Sequence, residues 1–172
     1  MLQIAIAKPQ IKLVGICVRT SYQQELDKMR GNIFPCVQRY FHSALFEKIT
    51  NRAKPGTTFC AYTDYENDYA GAYTYFIGEE VSSFENPLPE GFQILIIPKQ
   101  QYMKFTTTPA PMPDVIVNAW QHIWKMSPTQ LGGKRCYQTD FEIYDERAVD
   151  HQNIILDLYV GIESEKRIED SL

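Results

Sequence analysis

The chain has 172 residues, of which 44% are hydrophobic, 13% aromatic and 22% charged, with a formal net charge of −4. That is enough apolar material for one domain with a sizeable core, and it excludes disorder, collagen and coiled coil as the main description. Lys and Arg are scattered with no basic run, which argues against nucleic acid as the main partner, while the negative balance leaves room for a cationic ligand.

In chain order, the first apolar run is Ile4 to Ala7. It and every later run fall far short of the roughly 20 residues a bilayer span needs, so no membrane association is expected. The start carries no basic segment followed by a long apolar one, so no signal peptide is read and a cytoplasmic location is expected. Ile11 to Thr20, rich in Val and Ile, reads as a strand. Tyr22 to Arg30 is polar with room for a short helix, and Gly31-Asn32 breaks it. Ile33, Phe34, Val37, Tyr40, Phe41, Ala44, Leu45 and Ile49 then recur at helical spacing, with Asn32 as N-cap and Pro35 in the first turn. This helix is expected to pack through Phe41 and Leu45. Thr57 to Tyr65 and Ala72 to Val81 read as strands, and Ser82 to Gly91 as a connection.

The pattern then returns. Phe92 to Thr107 reads as strand broken near Pro98 to Gln101, and Asp114 can cap a helix packing through Trp120 or Trp124. Ser127 to Gly133 reads as a loop. Lys134 to Asp145 and Gln152 to Ile162 read as two further strands, and the last residues form a polar tail over 165–172. The expected organisation is a single domain over 1–164, with repeat one over about 10–81 and repeat two over about 92–163. The repeat shows in the letters: Thr63-Asp64-Tyr65-Glu66 recurs as Thr139-Asp140-Phe141-Glu142, and Phe76-Ile77-Gly78 as Tyr159-Val160-Gly161. Two copies of a strand-helix-strand-strand unit predict an α+β fold: an antiparallel sheet and two main helices, related by a pseudo-two-fold axis around a central groove.

Strand alternation groups the side chains that could carry chemistry. Asp140, Glu142 and Tyr144 share one face of their strand. In the last strand Leu156, Leu158, Val160 and Ile162 form an apolar face, and Asp157 and Tyr159 the other. With the apolar faces as core, Glu142 is expected near Tyr159. A carboxylate among aromatic rings suits a large organic cation, because the ring faces attract positive charge and the acid supplies the counter-charge. Plainer readings stand beside this one. A strand Glu is most often solvated and idle, Glu66 suits a structural cross-strand role, and Trp120 and Trp124 suit a core. The Tyr62, Tyr65, Tyr69, Tyr73, Tyr75 run suits ordinary sheet packing.

Enzyme signatures are thin: there is no GxSxG, HExxH, Walker or GxGxxG pattern. No catalytic residue and no cofactor is assigned. Glu66 and Glu142 acting as an acid–base pair across a groove would make a small hydrolase, which stays as an alternative. Cys17, Cys36, Cys60 and Cys136 sit far apart without a CxxC and are read as buried free thiols, and three isolated histidines suggest no metal site.

LVGICVRTS (13–21), YTDYENDYAGAYTYFIGEEV (62–81), IPKQQYMKF (97–105), WQHIW (120–124), YQTDFEIYDE (137–146) and ILDLYVGIE (155–163) follow one another in order. Together they resemble the bacterial effector-binding domain of multidrug-responsive regulators and of gyrase-inhibitory proteins. The likeness is greatest to the stand-alone integron-associated effector-binding proteins. The resemblance implies a binding protein for hydrophobic, cationic small molecules, linked to transcription regulation through a partner regulator protein. It implies Glu142 as the ligand's counter-charge, with Tyr159, Trp120 and Phe76 as aromatic companions; Glu66, the second acid of the internal repeat, joins them as a ligand-binding candidate on the repeat alone. No helix-turn-helix is present, so no direct nucleic-acid binding is carried over. Hydrolases and protein-inhibiting modules within the same superfamily supply the two alternatives.

Overall fold

The computed structural model describes residues 1–163, so the expected polar tail over 165–172 lies outside the described residues. The strands are β1 (Leu2–Lys8), β2 (Ile11–Ser21), β3 (Thr58–Thr63), β4 (Ala72–Glu80), β5 (Gln93–Ile97), β6 (Gln100–Thr106), β7 (Thr139–Tyr144) and β8 (Asp157–Gly161). The helices are α1 (Tyr22–Leu26), α2 (Ile33–His42), α3 (Asp114–Trp124) and α4 (Pro128–Leu131).

All eight strands join one antiparallel sheet in the order β1-β6-β8-β7-β3-β4-β2-β5. The order is symmetric about the central β7·β3 pair, with α2 and α3 as equivalent helices, so the expected pseudo-two-fold α+β architecture is present. The edge strands are exchanged between the halves. β1 precedes β2 in the chain yet pairs with β6, and β5 precedes β6 yet pairs with β2.

This exchange forces the sheet to curl. β1 and β2 stand six strand spacings apart in the order, about 29 Å if flat. Only Pro9 and Gln10 link them, a reach of roughly 11 Å. The link from β5 to β6 through Pro98 and Lys99 imposes the same constraint from the other side. Inside the curl, Leu13, Ala61, Phe76, Tyr102, Phe141 and Tyr159 form one buried cluster. The outer face carries two more, one under α2 around Tyr40, Cys60 and Ile77 and one under α3 around Phe105, Trp120 and Leu158. The curl is tight at the β2·β4 crossing. A Cβ on Gly15 would stand 2.0 Å from the Ile77 carbonyl oxygen, and one on Gly78 2.1 Å from that of Val14, so only glycine fits there.

Several expectations need correcting. β1 was not expected as a strand; as an edge it leaves Leu2 77% exposed, so it lacks a buried pattern. Asn32 occupies the N-cap position of α2 but its side chain donates to the Arg19 carbonyl (2.9 Å). The helix start is capped by the Glu25 carboxylate, which accepts from the backbone N–H of Asn32 (2.7 Å) and Ile33 (3.3 Å). A negative charge there also suits the helix dipole. α2 ends at His42, and Ala44, at φ +47, starts a separate 3-10 turn over Leu45–Lys48. α2 packs through Cys36 and Tyr40, not Phe41, which is 48% exposed. α3 begins at Asp114, with Pro113 in the cap position. The expected loop over Ser127 to Gly133 holds α4, started by a Ser127–Gln130 capping box and stopped at Gly132 (φ +76). β7 begins at Thr139 because Tyr137, at φ +50, breaks the extended run before it. The four cysteines are unpaired; Cys36 and Cys60 are buried, whereas Cys17 and Cys136 are only half-buried. Among the described residues, no helix is long and apolar enough to cross a membrane.

Candidate functional site

β3, β4 and β7 form the floor of a groove on the outer face of the sheet. α1 and α2 wall one side and α3 the other, enclosing a cavity of about 960 Å³. Glu142 lies in the floor, in the central β7. Its cross-strand neighbours are Cys60 on β3 and Leu158 on β8, which fixes its side chain on the helix side of the sheet.

The carboxylate is 2% exposed and held by three neutral donors. Trp120 Nε1–H from α3 donates to Oε2 (3.0 Å). The Tyr62 hydroxyl from β3 (3.1 Å) and the Tyr144 hydroxyl from β7 (3.2 Å) donate to Oε1. Among the described residues it forms no ion pair. The other charged groups lining the cavity are engaged elsewhere: Glu25 at the start of α2, Asp145 with Arg147 (2.8 Å), and Arg135 with Asp140 (2.7 Å). Burial pushes the Glu142 carboxyl up from 4.5 to about 7, against the three hydrogen bonds, which favour the charged form. The surrounding hydroxyls of Tyr62, Tyr75 and Tyr144 are pushed well above the ordinary phenol range, first by burial and then by nearby anionic groups, Glu142 among them. The floor therefore presents one buried carboxylate, without a cation among the described residues, set in an aromatic wall.

That wall is continuous. Tyr62 stands edge-on to Trp120 (centroids 5.3 Å apart) and Tyr75 (5.6 Å) and tilted to Tyr73 (5.8 Å). Towards the mouth, Trp124 meets Tyr22 edge-on at 5.2 Å and stacks on Tyr69 at 5.8 Å. Phe34, Phe41 and Val117 line the opening, which explains the exposure of apolar residues on α2 and α3.

Of the expected site residues, the structure brings Glu142 and Trp120 together and separates the other three. Tyr159 pairs with Phe141, not Glu142, and stacks on that ring at 4.6 Å inside the curl. Phe76 lies in the same inner cluster, behind the floor. The reason is register: β8 is buried on both faces, so its polar-looking face did not identify the groove side, and one residue of slip moves every side chain across the sheet. Glu66 lies beyond the end of β3, exposed on a loop that turns at Asp64 (φ +49), and accepts weakly from the Ala72 N–H (3.4 Å). The matching four-letter segments do not occupy equivalent places: Thr63 ends β3 whereas Thr139 begins β7, and the two are cross-strand partners with hydroxyls 2.9 Å apart. Tyr62, Tyr73, Tyr75 and Tyr144 were not singled out as site residues. Tyr144 could have been found by its spacing of two from Glu142, and the others by their alternation along β3 and β4.

The profile of the integron-associated effector binding protein family matches residues 6–162. The chain belongs to this family. A curated relative is the Bacillus subtilis protein YobU, a candidate transcriptional regulator, 24% identical over 151 residues that cover 88% of this chain and 91% of YobU. The fold is that of the integron cassette protein VCH_CASS2 of Vibrio cholerae, with a TM-score of 0.72 at 20% identity, covering 94% of this chain and 95% of that one. It is also that of SAV2435, solved bound to tetraphenylphosphonium, with a TM-score of 0.70 at 15% identity and 95% of each chain covered. Effector binding is thus the family's character.

Proposed function

We propose that this protein binds hydrophobic organic cations in the groove, with Glu142 as the counter-charge and Trp120 as an aromatic contact. The observation that carries the reading is the carboxylate in the floor of a cavity of about 960 Å³, bonded only to neutral donors. An ionised carboxylate without a cation is costly in such a place, and a delocalised, weakly hydrated cation restores the balance at little desolvation cost of its own. Rings at edge-on and tilted angles present both faces and edges to a bulky ligand, which favours shape tolerance over strict selectivity. The tetraphenylphosphonium bound by SAV2435 is a ligand of this chemical kind.

In this reading the protein acts in the cytoplasm, sequestering such compounds or reporting them to a partner regulator protein. The test is equilibrium binding of tetraphenylphosphonium at pH 8 to wild type and to Glu142→Gln, which keeps the shape and removes the charge. Loss of a buried charge contact costs about 1.5–3 kcal/mol, roughly ten- to a hundredfold in affinity. Equal affinities, or no binding to wild type, would refute the assignment. Turnover of a reactive electrophile by wild type and not by Glu142→Gln would instead make Glu142 a general base in a hydrolase.

A further inference from the structure

A second, smaller cavity of about 270 Å³ adjoins the groove beyond Trp124. The two cavities share Tyr69, Trp124 and Arg135 in their walls, so the stacked Tyr69–Trp124 pair is the partition between them. Half of that partition is loop: Tyr69 sits between β3 and β4, 41% exposed.

The side chamber differs from the groove in charge. Its apolar surface comes from residues such as Ile123, Met126 and Leu131, and its charged groups are Lys134 and Arg135. Arg135 is balanced by Asp140, but its Nε is buried and has no hydrogen-bond partner among the described residues. A buried donor left unpaired is unfavourable, and the Arg135 side chain lines both cavities. Lys134 is exposed and forms no ion pair among the described residues, and the residues that line the chamber include two cations and no acid. Asp68, next to Tyr69 in sequence, is exposed to solvent, which weakens but does not remove its opposing charge near Tyr137. The guanidinium is held in place from below by the Tyr137 ring, 4.3 Å away. Tyr137 reaches that position in a left-handed backbone conformation, φ +50, that bulky residues rarely adopt.

The two charged sites are close. Trp120 donates its N–H to Glu142 while the Arg135 guanidinium lies 6.0 Å from the centroid of the same indole. One indole therefore separates the carboxylate of the groove from the cation of the side chamber.

We propose that the side chamber is an anion subsite and that the protein accepts amphoteric ligands: a lipophilic cation against Glu142, with a carboxylate on a short tether reaching past Trp124 to Arg135 and Lys134. This rests on the cation reading of the groove and adds the second half of the ligand. The opposed charges of the two sites then orient the ligand along the groove, and Tyr69 sets whether the tether can pass.

The test uses (4-carboxybutyl)triphenylphosphonium, a zwitterion at pH 8, and its methyl ester, which keeps the cation and removes the anion. Both are titrated into wild type and Lys134→Glu. Lys134 is exposed, so this variant leaves the fold intact. Wild type is expected to bind the acid at least about threefold more tightly than the ester, the return of charge-assisted hydrogen bonds at a partly solvated site. Lys134→Glu is expected to reverse that preference while holding the ester within about twofold of wild type. Equal affinities for acid and ester in wild type, or a ratio unchanged in Lys134→Glu, would overturn the anion subsite and leave the cation reading standing. Failure of both compounds and of tetraphenylphosphonium to bind wild type would overturn the cation reading and this proposal with it.

Discussion

Replacing Glu142 by Gln should make the ligand-free protein more stable in alkaline solution, although it removes a charged group that accepts three hydrogen bonds. Burial raises the carboxyl from 4.5 to about 7. The folded chain therefore holds a proton over a pH range in which the unfolded chain has lost it. Stability linked to this group is fully present below about pH 4.5 and is lost as pH rises through about 7. At 1.36 kcal/mol per pH unit the loss is about 3 kcal/mol. Gln carries no such linkage, and its side-chain oxygen in the place of Oε1 still accepts from the Tyr62 and Tyr144 hydroxyls. Urea denaturation of both proteins at pH 5 and pH 8 isolates the effect, because every other titrating group is common to the two. Wild type should lose about 2.5 kcal/mol more than Glu142→Gln between the two conditions. At pH 8 the variant should melt several degrees higher, at roughly 2–4 °C per kcal/mol for a chain of this size. Parallel pH dependence in the two proteins would refute the reasoning, since it would mean that Glu142 is ionised and solvated throughout.

Tyr62→Phe removes one donor to the carboxylate; the charged form loses support, so the pH midpoint for cation binding should move upward, read from titrations with tetraphenylphosphonium between pH 6 and 9. Gly15→Ala and Gly78→Ala each drive a Cβ to within about 2 Å of facing backbone, and should cost several kcal/mol or abolish folding, measured by urea denaturation. Arg135→Met leaves Asp140, which is 0% exposed, without its cation, and should destabilise the protein by about 3–5 kcal/mol at neutral pH, measured by urea denaturation. Alkylation of the protein unfolded without reductant should label all four cysteines, and a mass corresponding to two labels would reveal a disulfide.

The helices and most strands were legible because periodicity marks a buried face: Tyr40 on α2, and Val115, Ala119 and Ile123 on α3, are buried at helical spacing. Phe41 was misplaced because a residue next to the core stripe is equally apolar when it lines a cavity. Glu142 stood out as an acid in an apolar, aromatic strand, and that signal survives folding because a central strand is buried on both sides. Tyr159 and Phe76 could not be placed the same way. Which face a residue takes depends on register with a neighbour distant in sequence, and in a sheet buried on both faces the alternation of polar and apolar letters no longer reports it. The edge strand β1 and the curl it enforces depend on the exchange of strands between halves, a property of topology that the repeat in the letters does not contain.

The central claim is that an ionised Glu142 faces the bound cation, and proton release on binding measures it directly. Titration calorimetry of tetraphenylphosphonium at pH 7 in two buffers of different ionisation enthalpy counts the protons. With a midpoint of about 7 in the free protein, binding should release about half a proton per ligand, falling towards zero by pH 9, with no release from Glu142→Gln. Binding without proton release at pH 7, or with the same release in wild type and Glu142→Gln, would contradict the claim.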